Sequence, residues 1–173
     1  LTMKKQITNK HIYEILCEIR DLLKPEISGV EVKKEEYLID CNTDPFVPDG
    51  WKVEEHKKGG LFRWDMEKQK NALYLSKEQY KGNSIKGIEL RKELKDKPVL
   101  NANVLDYLLA HPELIPEEWK GKFIFFWGTI YRGSVGRLLV RCLFWLGGRW
   151  YWNYGWLDHV WNDGAPAAVS AGV

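Results

Sequence analysis

The side chains of this sequence best suited to contact another molecule lie in residues 145–161, which hold five of its nine Trp. Within residues 150–156 every second residue is Trp or Tyr, a spacing that predicts a β-strand with four rings on one face. The opposite face would carry Tyr151, Asn153 and Gly155. Tyr gives contact area at little entropic cost, and Asn and Gly give adaptable polar contacts. These residue types therefore favour a surface that binds another molecule.

Patterns that would predict catalysis or metal binding do not occur in the sequence. The four histidines (residues 11, 56, 111 and 159) are scattered, and there is no CxxC, HExxH, P-loop, GxGxxG or GxSxG motif. Asp158 and His159 follow the aromatic run and could contact a ligand, but no nucleophile accompanies them. We therefore expect a protein that is not an enzyme and needs no metal or cofactor.

The composition narrows the choice of partner and compartment. A net charge of +2 over 173 residues is too small to predict a nucleic-acid or membrane partner. The longest apolar run, residues 138–148, is too short to span a bilayer, and no signal peptide is visible. Cys17, Cys41 and Cys142 are odd in number and lack metal-ligand spacing, so we expect reduced, buried thiols in a cytoplasmic protein.

The first 35 residues predict a helix ahead of the main domain. Residues 8–24 carry an apolar stripe at helical spacing, with Thr8 or Asn9 as the cap and Pro25 as the stop. The stripe could pack on its own domain, or it could form a short coiled coil that makes homo-oligomers.

Residues 36–173 predict one domain that begins with strands and continues with two helices. Residues 37–41 read as a strand, residues 51–56 and 61–65 as a β-hairpin around Gly59-Gly60, and residues 72–76 as a third strand. A first helix would begin at Ser84 and end before Pro98, and a second would be capped by Asn101 or Asn103 and end at His111.

The last third of the chain predicts an antiparallel meander. Its strands would be residues 122–132, 137–145 and 149–157, with glycine-containing turns at 133–136 and 147–148. A loop, residues 158–166, and a terminal apolar strand, residues 167–173, complete it. The fold class expected is α+β, with two helices packed on the meander.

The tail, residues 123–173, also differs in composition from the rest of the chain, because it contains no Lys, Glu, Gln or Met. Asn codons mutagenised at their adenines can become Tyr, Asp, His, Gly, Ala, Val, Leu or Ser, but not Lys, Glu, Gln, Met or Trp, since their third base is a pyrimidine. The candidate ligand-binding residues that fit this set are Leu146, Tyr151, Asn153, Gly155, His159, Val160, Asn162, Asp163, Gly164 and Ala165. Ordinary strand chemistry would also give a tail poor in Lys and Glu.

The tryptophans of the tail have three interpretations. They could be core, they could be a stacking platform for sugars or bases, or they could be a rigid scaffold that leaves the residues between them to form the site. In the third interpretation the scaffold comprises Trp145, Trp150, Trp152, Trp156 and Trp161.

Several segments resemble a family of bacterial proteins that look like the target (variable) proteins of diversity-generating retroelements. The segments are residues 53–56 (VEEH) with Gly59-Gly60, 100–109 (LNANVLDYLL), 114–121 (LIPEEWKG), 126–132 (FWGTIYR), and Trp161 with 166–169 (PAAV). The resemblance implies a C-type-lectin-like fold and a variable C-terminal region at about residues 138–173. Two lectin features, the disulfide cysteines and a calcium-binding Glu-Pro-Asn, are missing from the sequence, which argues against calcium-dependent sugar binding.

The resemblance therefore implies a ligand-binding protein whose C-terminal surface is diversified, with a protein or a glycan as its unidentified ligand. Two rivals stay open. A carbohydrate- or peptide-binding module of fixed specificity would use coplanar, exposed tryptophans. A nucleic-acid binder would use the tail arginines, Arg132, Arg137, Arg141 and Arg149, among the aromatic rings.

Overall fold

Short strands dominate the chain, of which the computed structural model describes residues 36–171. The strands are Tyr37–Asp40 (β1), Lys52–His56 (β2), Leu61–Trp64 (β3), Leu73–Tyr74 (β4), Ile85–Lys86 (β5), Ile124–Phe125 (β6), Thr129–Arg132 (β7), Leu138–Leu146 (β8), Arg149–Trp156 (β9), Val160–Trp161 (β10) and Ala167–Ala168 (β11). The α-helices are Met66–Gln69 (α1), Gly87–Glu93 (α2) and Ala102–Ala110 (α3). The predicted α+β class is confirmed. The helix predicted at residues 8–24, with its proposed role in oligomers, lies outside the described residues.

The main sheet is built around β8 and has the order β2-β7-β8-β6-β11-β4, with β9 also paired to β8. All its pairs are antiparallel except β11 with β6. β7 and β6 pair with successive stretches of β8, while β9 runs along it from Leu139 to Leu146. The predicted antiparallel order of β7, β8 and β9 is confirmed.

The β8–β9 hairpin closes at Gly147 and Gly148. Both have a positive φ (57° and 91°), as a two-residue I′ turn requires, and only glycine adopts this conformation without strain at both positions. The turn lets Leu146 pair with Arg149, and that pairing fixes the register of the whole hairpin.

The hairpin predicted for residues 51–56 and 61–65 is wrong. Both strands form, but β2 pairs with β7 and β3 pairs with β1. The segment between β2 and β3 makes hydrogen bonds to two different parts of the protein. The amide of Lys57 donates to the carbonyl of Gly128, and the carbonyl of Gly60 accepts from the amide of Cys41. A Gly-Gly turn signal shows where the chain bends, but long-range pairing decides which strands become neighbours.

The start of the first predicted helix is also wrong. Ser84 is not its cap, because Ile85 and Lys86 form β5, which pairs with β10, and α2 begins at Gly87. The amide of Gly87 donates to the carbonyl of His159 at 2.9 Å, so a contact from the far end of the chain replaces the local cap. The cap of the next helix is confirmed, with the side chain of Asn101 accepting from the amide of Asn103.

The long strand predicted at residues 122–132 is interrupted between β6 and β7. Gly128 lies there against Asn101, and a Cβ on it would come within 2.8 Å of the backbone of Asn101. Its amide donates to the carbonyl of Leu100. This close approach to the α3 N-terminus bends the strand. The strands predicted at residues 72–76 and 167–173 shorten to β4 and β11, and β10 forms inside the predicted loop.

Hydrophobic clusters cover both faces of β8. Leu143 belongs to the cluster that includes the α3 residues Val104, Leu105 and Leu108, whereas Cys142 belongs to the cluster beside α2. Both strand residues are almost completely buried (0% and 1% exposed). The middle of the sheet is therefore a central layer, whereas most of β9 and the loop after it are exposed or half-buried. Within the described residues, no helix is long and apolar enough to cross a membrane.

Candidate functional site

The alternation predicted for β9 is confirmed by its register. Trp152 lies opposite Leu143 and Asn153 lies opposite Cys142, so neighbouring residues of β9 point to the two different sides of the sheet. The aromatic face looks toward the α3 side, where Trp150 packs on the cluster that holds Leu143. The other face carries the predicted ligand-binding residues of the strand.

The five scaffold tryptophans differ widely in burial. Trp161 is buried (4% exposed), and Trp145, Trp150 and Trp156 are half-buried. Trp152 is 37% exposed, so the interpretation of the tail tryptophans as core does not hold for it. Its ring meets those of Phe46 and Trp51, and the guanidinium of the buried Arg141 lies 4.5 Å from its centre.

Trp161 is the buried anchor of the loop. Its ring lies 4.2 Å from that of Phe125 and 4.9 Å from that of Trp127, centroid to centroid. A Cβ on Gly87 would come 2.5 Å from its Nε1, and a Cβ on Gly155 would come 2.8 Å from its Cη2. The indole is therefore held between two glycines, one at the start of α2 and one in β9.

Gly155 was predicted to be one of the ligand-binding residues that vary, but this packing leaves no room for a side chain at this position. The ring of Trp161 already fills the space that a side chain at Gly155 would need. The residue still borders the candidate site, but it contributes shape and backbone instead of a replaceable side chain.

A cavity of about 430 Å³ lies beside this anchor. Six of the ten predicted ligand-binding residues line it: Gly155, His159, Val160, Asn162, Gly164 and Ala165. The other walls are Gly121, Phe123, Phe125, Trp156 and Trp161. We call this space the loop cavity. Its volume and its mixed aromatic and polar walls are those of sites that hold a small molecule or a single side chain of a larger ligand.

A strip of stacked rings continues from the loop cavity along the same face of the sheet. Phe123 stacks on Phe144 at 5.2 Å with an interplanar angle of 24°, and Phe144 stacks on Tyr151 at 5.9 Å and 30°. The guanidinium of Arg149 lies 5.0 Å from the centre of the Tyr151 ring. We call these four residues the stacked strip. Leu146, 62% exposed, lies on this face too.

Asn153 and Asp163 complete the predicted set. Asn153 is exposed, on the same face of β9 as Tyr151, and its Oδ1 accepts a hydrogen bond from the backbone amide of Tyr154. Asp163 is exposed in the loop, next to Asn162, although it does not line the cavity.

Phe123 and Phe144 were missed by the sequence analysis. Phe123 precedes the predicted variable region but is 46% exposed and belongs to both the loop cavity and the stacked strip. Its signal in the sequence is weak, since residues 123–127 form one apolar run in which the exposed ring cannot be told from the buried ones.

The backbone of the loop is held by contacts from outside the predicted variable region, residues 138–173. Gln79 is completely buried, and its Nε2 donates to the carbonyl oxygens of Asn162 (2.8 Å) and Ala165 (3.2 Å). The carbonyl of Gly164 accepts from the amide of Phe123 at 2.9 Å. The position of the loop thus depends on main-chain atoms, which every residue type supplies. The Oδ1 of Asn162 accepts from the amide of Gly164, so that side chain has a local role as well.

The charges beside the cavity are paired. Arg137 donates to both carboxylate oxygens of Asp158, and its Nη2 lies 3.1 Å from Nε2 of His159. The hydrogen bond from Arg137 holds the pKa of Asp158 below its usual value. Asp158 is therefore a fixed anion that orients the start of the loop. In the described residues, no group of three or more His, Cys, Asp or Glu could hold a metal ion.

The geometry bears on both rival interpretations. Arg132 forms a bidentate pair with Glu54, Arg137 pairs with Asp158, and the buried Arg141 pairs with the half-buried Asp106. Three of the four tail arginines thus have their charge engaged, which disfavours a phosphate-binding surface.

The rings around Trp152 meet edge to face: the interplanar angles of Trp152 with Phe46 and Trp51 are 75° and 89°. They are not the coplanar platform that a sugar-stacking site would use.

No protein family, curated protein or solved structure matches this chain.

Proposed function

We propose that this chain is a ligand-binding protein without enzymatic activity, and that its binding surface is the loop cavity together with the stacked strip. One observation supports this above all. Six residues chosen from sequence alone, in β9 and in the loop after it, line a single cavity of about 430 Å³. Aromatic rings, small polar residues and the arginine of the stacked strip are the chemistry of recognition surfaces.

The second part of the proposal is that the surface is diversified, as in the target proteins of diversity-generating retroelements. A diversified site needs side chains that can change while the backbone stays in place. Here the loop backbone is held by Gln79 and Phe123, both outside the predicted variable region, and by the buried ring of Trp161. Adenine mutagenesis of Asn codons cannot create Trp, so the tryptophans would be constant positions.

A C-type-lectin-like fold is part of the same proposal. It is supported by the order of elements: a first strand, helices α2 and α3, the β8–β9 hairpin, a loop, and the closing strand β11 inside the sheet. The ligand would be a protein or a glycan, with nucleic acid disfavoured because three tail arginines are paired. Cys41 and Cys142 are free and buried, as predicted, while Cys17 lies outside the described residues. A reducing, cytoplasmic location is part of the proposal.

The source DNA provides the first test. A near-copy of the codons for residues 138–173, beside a reverse transcriptase gene, is expected next to the gene. Its differences should fall only at adenines, and they should include the codons for Tyr151 and Asn153. If the neighbourhood holds neither a copy nor a reverse transcriptase, the diversified surface is refuted and a module of fixed specificity becomes the better interpretation.

The protein itself provides the second test. Asn153→Asp and Asp163→Asn change exposed side chains to residues that the same codons reach, so each should alter the free energy of unfolding by no more than about 0.5 kcal/mol. Trp161→Ala is the matched control in the same region, and it should cost about 3–5 kcal/mol because it empties a buried site. Equal losses in urea unfolding for the two kinds of variant would contradict the division into site and scaffold.

A further inference from the structure

A second cavity, of about 290 Å³, lies between α2, β2 and β7 and shares no lining residue with the loop cavity. We call it the cationic cavity. Its volume is close to the lower end of the range for small-ligand sites, about 300–1,000 Å³. Nothing in the proposed function uses it, because it is formed by residues that precede the predicted variable region.

The floor of the cationic cavity is apolar. Leu94, Val99, Trp127 and Ile130 line it and are all at least nine-tenths buried. Ile88 stands at the mouth, 40% exposed. A floor of this kind favours the hydrocarbon part of a ligand, because water in contact with it is released on binding.

The rim carries four cations and one carboxylate. Arg91 is bound to the carboxylate, Glu55, and Lys92 is bound to Glu89 on its own helix. The remaining two cations are Lys57 and Lys95, and Lys95 has no ion-pair partner within residues 36–171. The local excess is therefore positive and small.

Lys57 is held in a fixed position at this rim. Its Nζ donates to the carbonyl oxygens of Leu94 (3.4 Å), Lys95 (2.7 Å) and Lys97 (3.5 Å), just beyond the end of α2. Burial lowers the pKa of Lys57, and the nearby carboxylates of Asp96 and Glu55 oppose this only in part. An additional anion near Lys57 would therefore stabilise its charge.

We propose that the cationic cavity binds a small amphipathic anion, a carboxylate with an aliphatic or aromatic body. The body would lie on the floor formed by Val99, Trp127 and Ile130. The carboxylate would lie at the rim beside Lys95, with Lys57, whose ammonium hydrogens are bound to carbonyl oxygens, acting through its charge. A single negative charge complements Lys57 and Lys95, the two rim cations that no carboxylate within residues 36–171 binds directly. The limited volume favours a small molecule over a peptide segment.

The test is a titration of the whole chain with octanoate, followed through the indole N–H of Trp127 by heteronuclear NMR. This N–H is a suitable reporter because its Nε1 is buried and has no hydrogen-bond partner among the described residues. Trp127→Phe assigns its resonance. Octanoate is expected to shift this resonance in a saturable way, and the uncharged analogue octanol is expected to bind about ten-fold more weakly.

A pair of charge reversals separates the rim from the overall charge of the protein. Lys95→Glu is expected to raise the Kd for octanoate about three- to ten-fold, since it replaces a favourable charge by an unfavourable one at a solvent-exposed rim. Lys86→Glu makes the same change at an exposed residue outside the cavity and should alter the Kd less than about two-fold. Equal affinity for octanol, equal effects of the two reversals, or an unmoved Trp127 resonance would each overturn the proposal.

Discussion

Replacing Gly155 by alanine adds a single methyl group at the point where the loop returns over β9. The added carbon would lie 2.8 Å from Cη2 and 2.9 Å from Cζ2 of Trp161, and 3.0 Å from Cε1 of Phe125. Carbon atoms pack best at about 3.5–4.0 Å, so at least one ring must move by roughly half an ångström or more. Trp161 cannot do this freely, because Gly87 closes on its other side.

The expected cost follows from two opposing effects. Forcing an extra carbon into a packed core costs about 1–3 kcal/mol. Removing a glycine from the unfolded chain returns about 0.4–1 kcal/mol where the backbone is compatible, and φ at Gly155 is not positive. The net destabilisation should be about 1–2 kcal/mol, which in urea lowers the unfolding midpoint by about 0.5–1 M for a slope near 2 kcal/mol/M.

Urea unfolding of four variants would check both the size and the cause. Gly59→Ala is the matched control, since its Cβ would meet only Cys41 at an ordinary 3.5 Å, and it should be neutral or slightly stabilising. Trp161→Phe removes the ring atoms that collide, so Gly155→Ala should cost clearly less in that background than in the native one. If the cost is the same in both backgrounds, the Trp161 contact is not its origin and the reasoning fails.

Three further predictions concern other parts of the chain. Trp152→Ala should cost about 1–3 kcal/mol in urea unfolding, less than a buried Trp, because its ring is 37% exposed. Asp106→Asn should cost roughly 2–4 kcal/mol, since it leaves Arg141, 1% exposed, with a neutral partner; a loss no larger than that of an exposed pair would contradict this. Burial raises the pKa of Cys41 to about 11 and that of Cys142 to about 12, so iodoacetamide should label neither in the folded protein at pH 8, and both on unfolding.

The sequence predicted well where neighbours in the chain are neighbours in space. The β8–β9 hairpin, its alternation and the Asn101 cap all depend on short stretches whose periodicity or capping residue is visible locally. The grouping of His159, Asn162 and Ala165 around one cavity is also local, because they belong to one loop.

The sequence failed where distant segments decide the outcome. The strands at residues 51–56 and 61–65 have the pattern of a hairpin, yet each finds a better partner elsewhere, in β7 and in β1. Ser84 has the chemistry of a cap, yet β10 draws the next two residues into a strand. Neither pairing partner can be identified from the alternation of apolar and polar residues, because this alternation is the same whichever strand lies alongside.

The limits of the predicted site have the same origin. Asn153 and Gly155 lie on one face of one strand, and the alternation of β9 assigns them the same role. The structure separates them, because Trp161 returns from the loop and covers Gly155 while Asn153 stays exposed. If the tail is diversified, functional variants should therefore keep glycine at 155 while residue 153 changes. A set of natural or selected variants with large side chains at both positions, all stably folded, would show that the loop anchor moves and that the site is larger than this structure indicates.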